Sequence, residues 1–247
     1  MDNRIDREYY AARKPELLKR FDEEARQWRP VIASRFGEDS ADTMLKDARE
    51  EFEALIPQIP YIGGDENHLT GSLVGSARYL ALYKAMKRRG KTVEETGKIL
   101  YDATLARIDE PRTPIPPSRR LTPEQLMARR RRRAERSQER RYPEDYVYEF
   151  VAGDGEEFDY GYDFLECAAQ KFYHAQSADE FAPFYCFLDY PKSRSGLTRT
   201  MTLTEGHEKC NHRFKKGREP GLEWPPPFLN SERGLYRGGA RANPHWS

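Results

Sequence analysis

All three cysteines of the chain stand within one segment, and each has an acid or a base within three positions. The pairs are Glu166 with Cys167, Cys186 with Asp189, and Cys210 with His212. A cysteine attacks carbon as its thiolate, so a neighbouring base is what covalent catalysis by sulfur requires. We therefore expect this segment to carry either nucleophilic attack by a thiol or activation of water by a carboxylate or an imidazole.

Cys167 is the first candidate nucleophile, with Glu166 or His212 as its proton partner. The surrounding residues 164–169 are mostly apolar and fit a helix face. A buried cysteine in such a face often serves only as a small core residue. Both interpretations stand at this point.

Asp189 is the candidate general base for water. Its spacing of three from Cys186 places both side chains on one face if the segment is helical, and on opposite faces if it is a strand. The alternative is that Asp189 caps or turns the chain before Tyr190 and Pro191.

Cys210 and His212 stand two residues apart, so a strand would project both toward one pocket. The next residue, Arg213, would then face the other way. We treat Arg199 and Arg213 as candidates for binding an anionic group of a substrate, with Cys186 and Cys210 lining the same pocket. An exposed salt bridge is the alternative for Arg199.

Three thiolates with His212 would also satisfy a tetrahedral zinc site by ligand count. The cysteines are widely separated and lack the short paired spacing of zinc motifs, so we predict no metal and no cofactor. The remaining histidines are expected at the surface; they are His68, His174, His207 and His245.

The elements that would position these residues follow from periodicity. Residues 5–56 have a helical pattern punctuated by Pro30 and Pro57, and a second helix is predicted from Leu69 to Arg89. Thr92 and Glu95 form a capping box that opens the next helix. Prolines at 111, 114, 116 and 117 predict a linker.

A basic helix is predicted after the linker, starting near Pro123 and containing five consecutive arginines, Arg129 to Arg133. Clustered arginines are typical of phosphate or anionic-surface binding. The alternative is a solvated helix in which glutamates at 124, 135 and 139 pair with the arginines.

Beyond residue 145 the pattern becomes strand-like. Residues 146–151 and 156–162 predict one hairpin, and residues 198–204 with 209–214 predict a second. A helix over 164–175, carrying Glu166 and Cys167, is expected between them, followed by a capping box at residues 177–180. The sequence thus predicts an α+β fold of N-terminal helices packed with an antiparallel sheet.

The segment also carries a family pattern. Its elements are Gly161 with Asp163, Glu166 with Cys167, Pro183 with Cys186, Asp189, Gly206, and Cys210 before Phe214. With these elements the chain resembles the L-2-amino-thiazoline-4-carboxylic acid hydrolase family over roughly residues 30–215. The proline linker, the arginine helix and the tail depart from the family's layout.

The resemblance implies ring opening of a small cyclic amidine, in which water adds to the carbon between sulfur and nitrogen and an N-carbamoyl cysteine forms. It implies a catalytic set of Cys167, Glu166, Asp189 and His212. Two alternatives remain open. One is a related enzyme for a larger, more apolar heterocycle in a biosynthetic pathway, suggested by the many tyrosines; the other is a non-catalytic small-molecule sensor.

Composition sets the remaining expectations. Basic and acidic residues number 42 and 41, so nucleic acid is not an expected partner. No apolar run reaches the ~18 residues of a membrane span, the N-terminus lacks a signal-type apolar region, and the odd cysteine count favours a reducing compartment. We expect a cytoplasmic protein acting on a small molecule.

Four parts of the chain are predicted: a helical part at 1–110, the linker and basic helix at 111–141, the hydrolase-like part at 142–216, and an extended arm at 217–247. The arm contains Trp224 and Phe228 among prolines. Such apolar side chains suggest an arm that lies across its own domain or across a second subunit, so a homo-oligomer is expected.

Overall fold

A computed structural model describes residues 3–107, 110, 114, 116, 119–192, 196–219, 224–226 and 229. The helices are α1 (Asn3–Phe36), α2 (Glu38–Leu55), α3 (Thr70–Arg88), α4 (Val93–Leu105), α5 (Pro123–Ser137), α6 (Ala168–Ala175), α7 (Ala182–Phe187) and α8 (Asp189–Lys192). The strands are β1 (Val147–Ala152), β2 (Tyr160–Glu166), β3 (Leu197–Thr198) and β4 (Cys210–Phe214). The α+β prediction is confirmed.

The first two helices form an antiparallel pair that is broken at Gly37, not at Pro30 as the sequence predicted. Pro30 lies inside α1, where buried Trp28 and Ile32 flank it and hold the helix against its neighbours. Gly37 has a φ of 87°, a left-handed conformation that glycine adopts without steric cost. Apolar packing therefore outweighs the hydrogen bond that proline removes.

The next two helices agree with the sequence. The helix predicted over 69–89 is α3, one residue shorter at each end. The capping box of α4 is confirmed, because Thr92 Oγ1 accepts from the Glu95 backbone N–H at 3.1 Å and the Thr92 N–H donates to Glu95 at 2.7 Å.

The sheet described in this structure has the order β1-β2-β4-β3, and every neighbouring pair is antiparallel. Cross-strand partners share a face, so the register places two rows of side chains together on one side. These rows are Tyr148, Phe164 and Cys210, and Phe150, Tyr162 and His212. That aromatic face turns toward the helices and carries the chemistry-bearing residues.

The segment around Cys167 differs from the prediction. Strand β2 extends through Glu166, and α6 begins only at Ala168, so Cys167 lies at the junction and not within a helix. The predicted capping box at 177–180 is also wrong. Glu180 instead accepts hydrogen bonds from Tyr83 and Lys87 of α3, an interaction between distant parts of the chain.

The start of the predicted arm packs on its own chain. The Trp224 ring lies 5.4 Å from that of Tyr101 and 6.2 Å from that of Phe187. Residues 220–223, 227, 228 and 230–247 of the arm, which include Phe228, and positions 111–113, 115, 117 and 118 of the predicted linker fall outside the described residues. None of the described helices has the length and apolar composition needed to cross a bilayer.

Candidate active site

Cys167 occupies the N-cap of α6, at the point where β2 ends. Burial raises the pKa of its thiol, and the negative charge of Asp189 raises it further. The backbone N–H groups of Ala169 and Gln170, at the positive end of the helix, lower the pKa but do not outweigh burial. At neutral pH the resting side chain is therefore the thiol.

A second group of side chains consists of Asp189, Arg199 and His212, and the charge of Asp189 acts on the Cys167 thiol. Arg199 Nη1 lies 3.2 Å from Asp189 Oδ2 and 3.2 Å from His212 Nε2. The distance between His212 Nε2 and Asp189 Oδ2 is 3.8 Å. Arg199 also donates to the backbone carbonyl of Cys186, so its guanidinium fixes the geometry of the group.

The electrostatics of this group favour an ionised carboxylate. Burial works to raise the pKa of Asp189, but the nearby His212 and Arg199 side chains outweigh it and hold the pKa below its usual value. The Arg199 side chain is 4% exposed, whereas that of Asp189 is 41% exposed. The carboxylate is thus the accessible member, and the arginine is its buried support.

The contacts of His212 define its tautomer. Because a guanidinium can only donate, Nε2 must accept from Arg199, and the proton then resides on Nδ1. Burial and the charge of Arg199 lower the pKa of His212, so the ring is neutral. Among the described residues, buried Nδ1 has no hydrogen-bond partner. Nδ1 is enclosed by the protein, and the ring is fixed by its contact with Arg199.

The other two cysteines are buried near this group and are held by hydrogen bonds. The Leu203 backbone N–H donates to Cys210 Sγ at 3.1 Å, and Thr204 Oγ1 donates to Cys186 Sγ at 3.6 Å. Burial raises the pKa of Cys210 to about 12 and that of Cys186 well above its usual value. Both are thiols at neutral pH, and all three cysteines are free of disulfides.

Aromatic side chains surround the site. The Phe164 ring lies 5.1 Å from the imidazole of His212, and the Arg199 guanidinium lies 4.9 Å from the centre of the Tyr190 ring. Burial also raises the pKa of Tyr146 and of Tyr185, with contributions from nearby Asp189 and Cys167. These tyrosines remain neutral and give the site a low dielectric.

Two of the sequence-predicted residues lie apart from the group. Glu166 forms ion pairs with Arg140 and with Lys171. Arg213 faces the opposite side of the sheet, as its position next to His212 predicted, and pairs with Asp163 at 2.7 Å. In the described part of the chain, no three His, Cys, Asp or Glu side chains are arranged to hold a metal ion.

Sequence reasoning singled out Asp189, Arg199 and His212 separately but did not predict their mutual contact. That contact depends on the pairing of β3 with β4 and on the position of the short helix α8 beside β3. Both arrangements bring together residues that are distant in the sequence. It also placed His68 at the surface without a partner. His68 is exposed, but its Nε2 lies 3.4 Å from the Tyr148 hydroxyl.

The family model of L-2-amino-thiazoline-4-carboxylic acid hydrolase matches residues 73–214. The chain belongs to this family. The match runs from α3 to the end of β4 and so contains every member of the candidate site of this hydrolase. Neither a curated protein nor a solved structure matches the chain.

Proposed function

We propose that this family member hydrolyses a cyclic amidine such as L-2-amino-thiazoline-4-carboxylate, with Cys167 as nucleophile and Asp189 as base. The observation that carries the proposal is the convergence of the Asp189, Arg199 and His212 group beside a cysteine at a helix N-terminus. A carboxylate held ionised by an arginine provides a base, and the helix end stabilises a thiolate as it forms.

The proposed reaction has two stages. Asp189 takes the proton of the Cys167 thiol while the sulfur attacks the carbon between the ring sulfur and nitrogen. The bond from that carbon to the ring sulfur breaks, and the departing sulfur takes the proton from Asp189. Water, deprotonated by Asp189, then attacks the same carbon and releases Cys167, which recovers the proton.

Arg199 has a positioning role in this scheme. Its contacts with Asp189, with His212 and with the Cys186 carbonyl occupy Nη1 and Nη2. Cys186 and Cys210, both buried and protonated, pack beside this group and take no part in the proton transfers. Glu166, fixed by two cations, supports the junction at which Cys167 stands.

The test is thiol release from L-2-amino-thiazoline-4-carboxylate by purified protein. We expect turnover by the wild type and a loss of about 100-fold or more in kcat for both Cys167→Ser and Asp189→Asn, the usual size of a lost acid–base contribution. Asp179→Asn is the matched control, since Asp179 is exposed and pairs with His174 at 2.9 Å. Absence of turnover by folded wild type would reject this substrate.

A non-catalytic binding module is the second candidate, and one observation favours it. All three thiols have a raised pKa, as expected of inert packing residues. In that case the protein would bind the amidine without releasing thiol. Full turnover by the wild type excludes this candidate.

A further inference from the structure

A cavity of about 270 Å³ lies between α5 and the sheet face that bears His212. Its cationic side is formed by Arg129, Arg130 and Arg133, and its floor by Tyr148, Tyr162 and Phe164. No carboxylate is among the described residues that line it. Its size is close to the lower end of the ~300–1,000 Å³ usual for small-molecule sites.

The five consecutive arginines of α5 have no acidic partner among the described residues. In the part of the chain that the structure describes, none of Arg129 to Arg133 forms an ion pair, although the sequence offered glutamates at 124, 135 and 139 as partners. Arg78, by contrast, forms a two-point pair with Glu24 at 2.7 and 2.9 Å. The positive charge beside the cavity is therefore not neutralised by the protein.

His68, at the edge of the cavity, responds to this charge. Partial burial, together with the positive charges of Arg133, Arg129 and Arg136, lowers the pKa of His68 to about 4. An anion bound between these arginines would offset their charge and raise that pKa. The pKa of His68 therefore indicates whether an anion occupies the cavity.

The cavity adjoins the candidate active site through its aromatic floor. The Phe164 ring lies 5.1 Å from the His212 ring, and Tyr162 is the cross-strand partner of His212. Residues two apart on one face of a strand are separated by roughly 7 Å. Tyr162 and Phe164 therefore form a continuous aromatic surface between the arginines and the imidazole.

We propose that the enzyme also accepts an anionic heterocycle with an extended apolar body. Its carboxylate binds Arg129 and Arg133, its body lies on Tyr162 and Phe164, and its reactive ring reaches Asp189. Arginine suits this role because its planar donors match a carboxylate at two points. The inference rests on the proposed function for the position of the reactive ring, while the anion site itself stands on the cavity and its unpaired arginines.

The carboxylate binding is tested with 3-phenylpropanoate as probe and 3-phenylpropanamide as its uncharged match. We expect the carboxylate to raise the pKa of His68, followed by NMR titration, and the amide to leave it near 4. The double variant Arg129→Gln with Arg133→Gln should weaken carboxylate affinity about 10-fold or more, which corresponds to ~1.4 kcal/mol. Arg132→Gln is the matched control, because it removes the same charge from an exposed position outside the cavity.

The outcomes separate this inference from the proposed reaction. Binding that depends on Arg129 and Arg133 in a protein that opens no cyclic amidine would support the anion site and reject the reaction. Turnover of a cyclic amidine that carries such an extended carboxylate, with unchanged KM in the double variant, would overturn the anion site, and so would equal affinity for acid and amide. Failure of the wild type to bind the carboxylate at millimolar concentration would overturn it as well.

Discussion

At the scale of single residues, the site is defined by opposing shifts of two pKa values. The cations around Asp189 keep it ionised, while burial and that same ionised carboxylate keep Cys167 protonated. A carboxylate and a protonated thiol thus coexist at neutral pH, so the thiol must lose its proton as the sulfur attacks. Because Asp189 is ionised well into the acid range, we expect no loss of activity from this group between pH 5 and pH 8.

This electrostatic coupling makes a prediction about thiol reactivity. Alkylation of Cys167 by iodoacetamide should be slow at pH 7 and rise with a midpoint above the ~8.5 of an ordinary cysteine. The substitution Asp189→Asn should lower that midpoint, because the negative charge of the carboxylate raises the pKa of the thiol. Mass spectrometry of the alkylated protein across pH measures both, with Asp179→Asn as control. An unchanged midpoint in Asp189→Asn would show that the two side chains are not coupled.

Residue types and spacings predicted part of this site. The separation of two between Cys210 and His212 on a strand, and the opposite orientation of Arg213, followed from strand geometry and agree with the structure. The support of Asp189 by Arg199 could not be predicted, because it arises from tertiary contacts between α8 and the segment after β3. Local sequence contains no signal for such a contact.

At the scale of elements, the position of Cys167 depends on where a strand changes into a helix. The sequence 164–169 fits a helix face, but Phe164 and Glu166 pair with β1 and extend the strand instead. Helix α7 leads from Ala182 to the Cys186 region and is held against α4 at Gly97. A Cβ at Gly97 would lie 2.8 Å from Cγ of Phe184, closer than side chains approach one another.

This close approach predicts that Gly97→Ala is destabilising. Alanine normally stabilises a helix interior over glycine by roughly 0.5–1 kcal/mol, but here the added methyl group would displace Phe184 at a cost of about 1–3 kcal/mol. Gly71→Ala in α3 is the control, since nothing lies within 4 Å of its added Cβ. In urea unfolding, the free energy of unfolding should fall in Gly97→Ala and rise in Gly71→Ala. A rise in both variants would contradict the packing of α4 on α7.

At the scale of the whole molecule, one continuous core joins the N-terminal helices to the sheet. Stacked rings of Tyr83 and Phe181, 4.7 Å apart, and the bond from the Tyr173 hydroxyl to the Ser76 carbonyl, at 2.9 Å, connect α3 to the segment that carries the site. The division of the chain into four parts therefore remains a prediction from the sequence. The homo-oligomer also remains a prediction from the sequence.

Periodicity predicted α3, the capping box predicted the start of α4, and the α+β class followed, because these signals are local. The positions at which helices end were less predictable. Pro30 lies within α1, and α1 ends before Gly37. The pairing of distant strands, and the meeting of α5 with the aromatic face, require the whole fold.

The most direct test of Cys167 as the nucleophile is an intact-mass measurement. Wild-type protein is mixed with L-2-amino-thiazoline-4-carboxylate, and the reaction is quenched within the first turnover. We expect a covalent adduct of the opened ring, located by peptide mapping to Cys167 and absent from Cys167→Ser. Two results together would contradict Cys167 as the nucleophile. They are thiol release by Cys167→Ser at the rate of the wild type, and no adduct on any cysteine of the wild type.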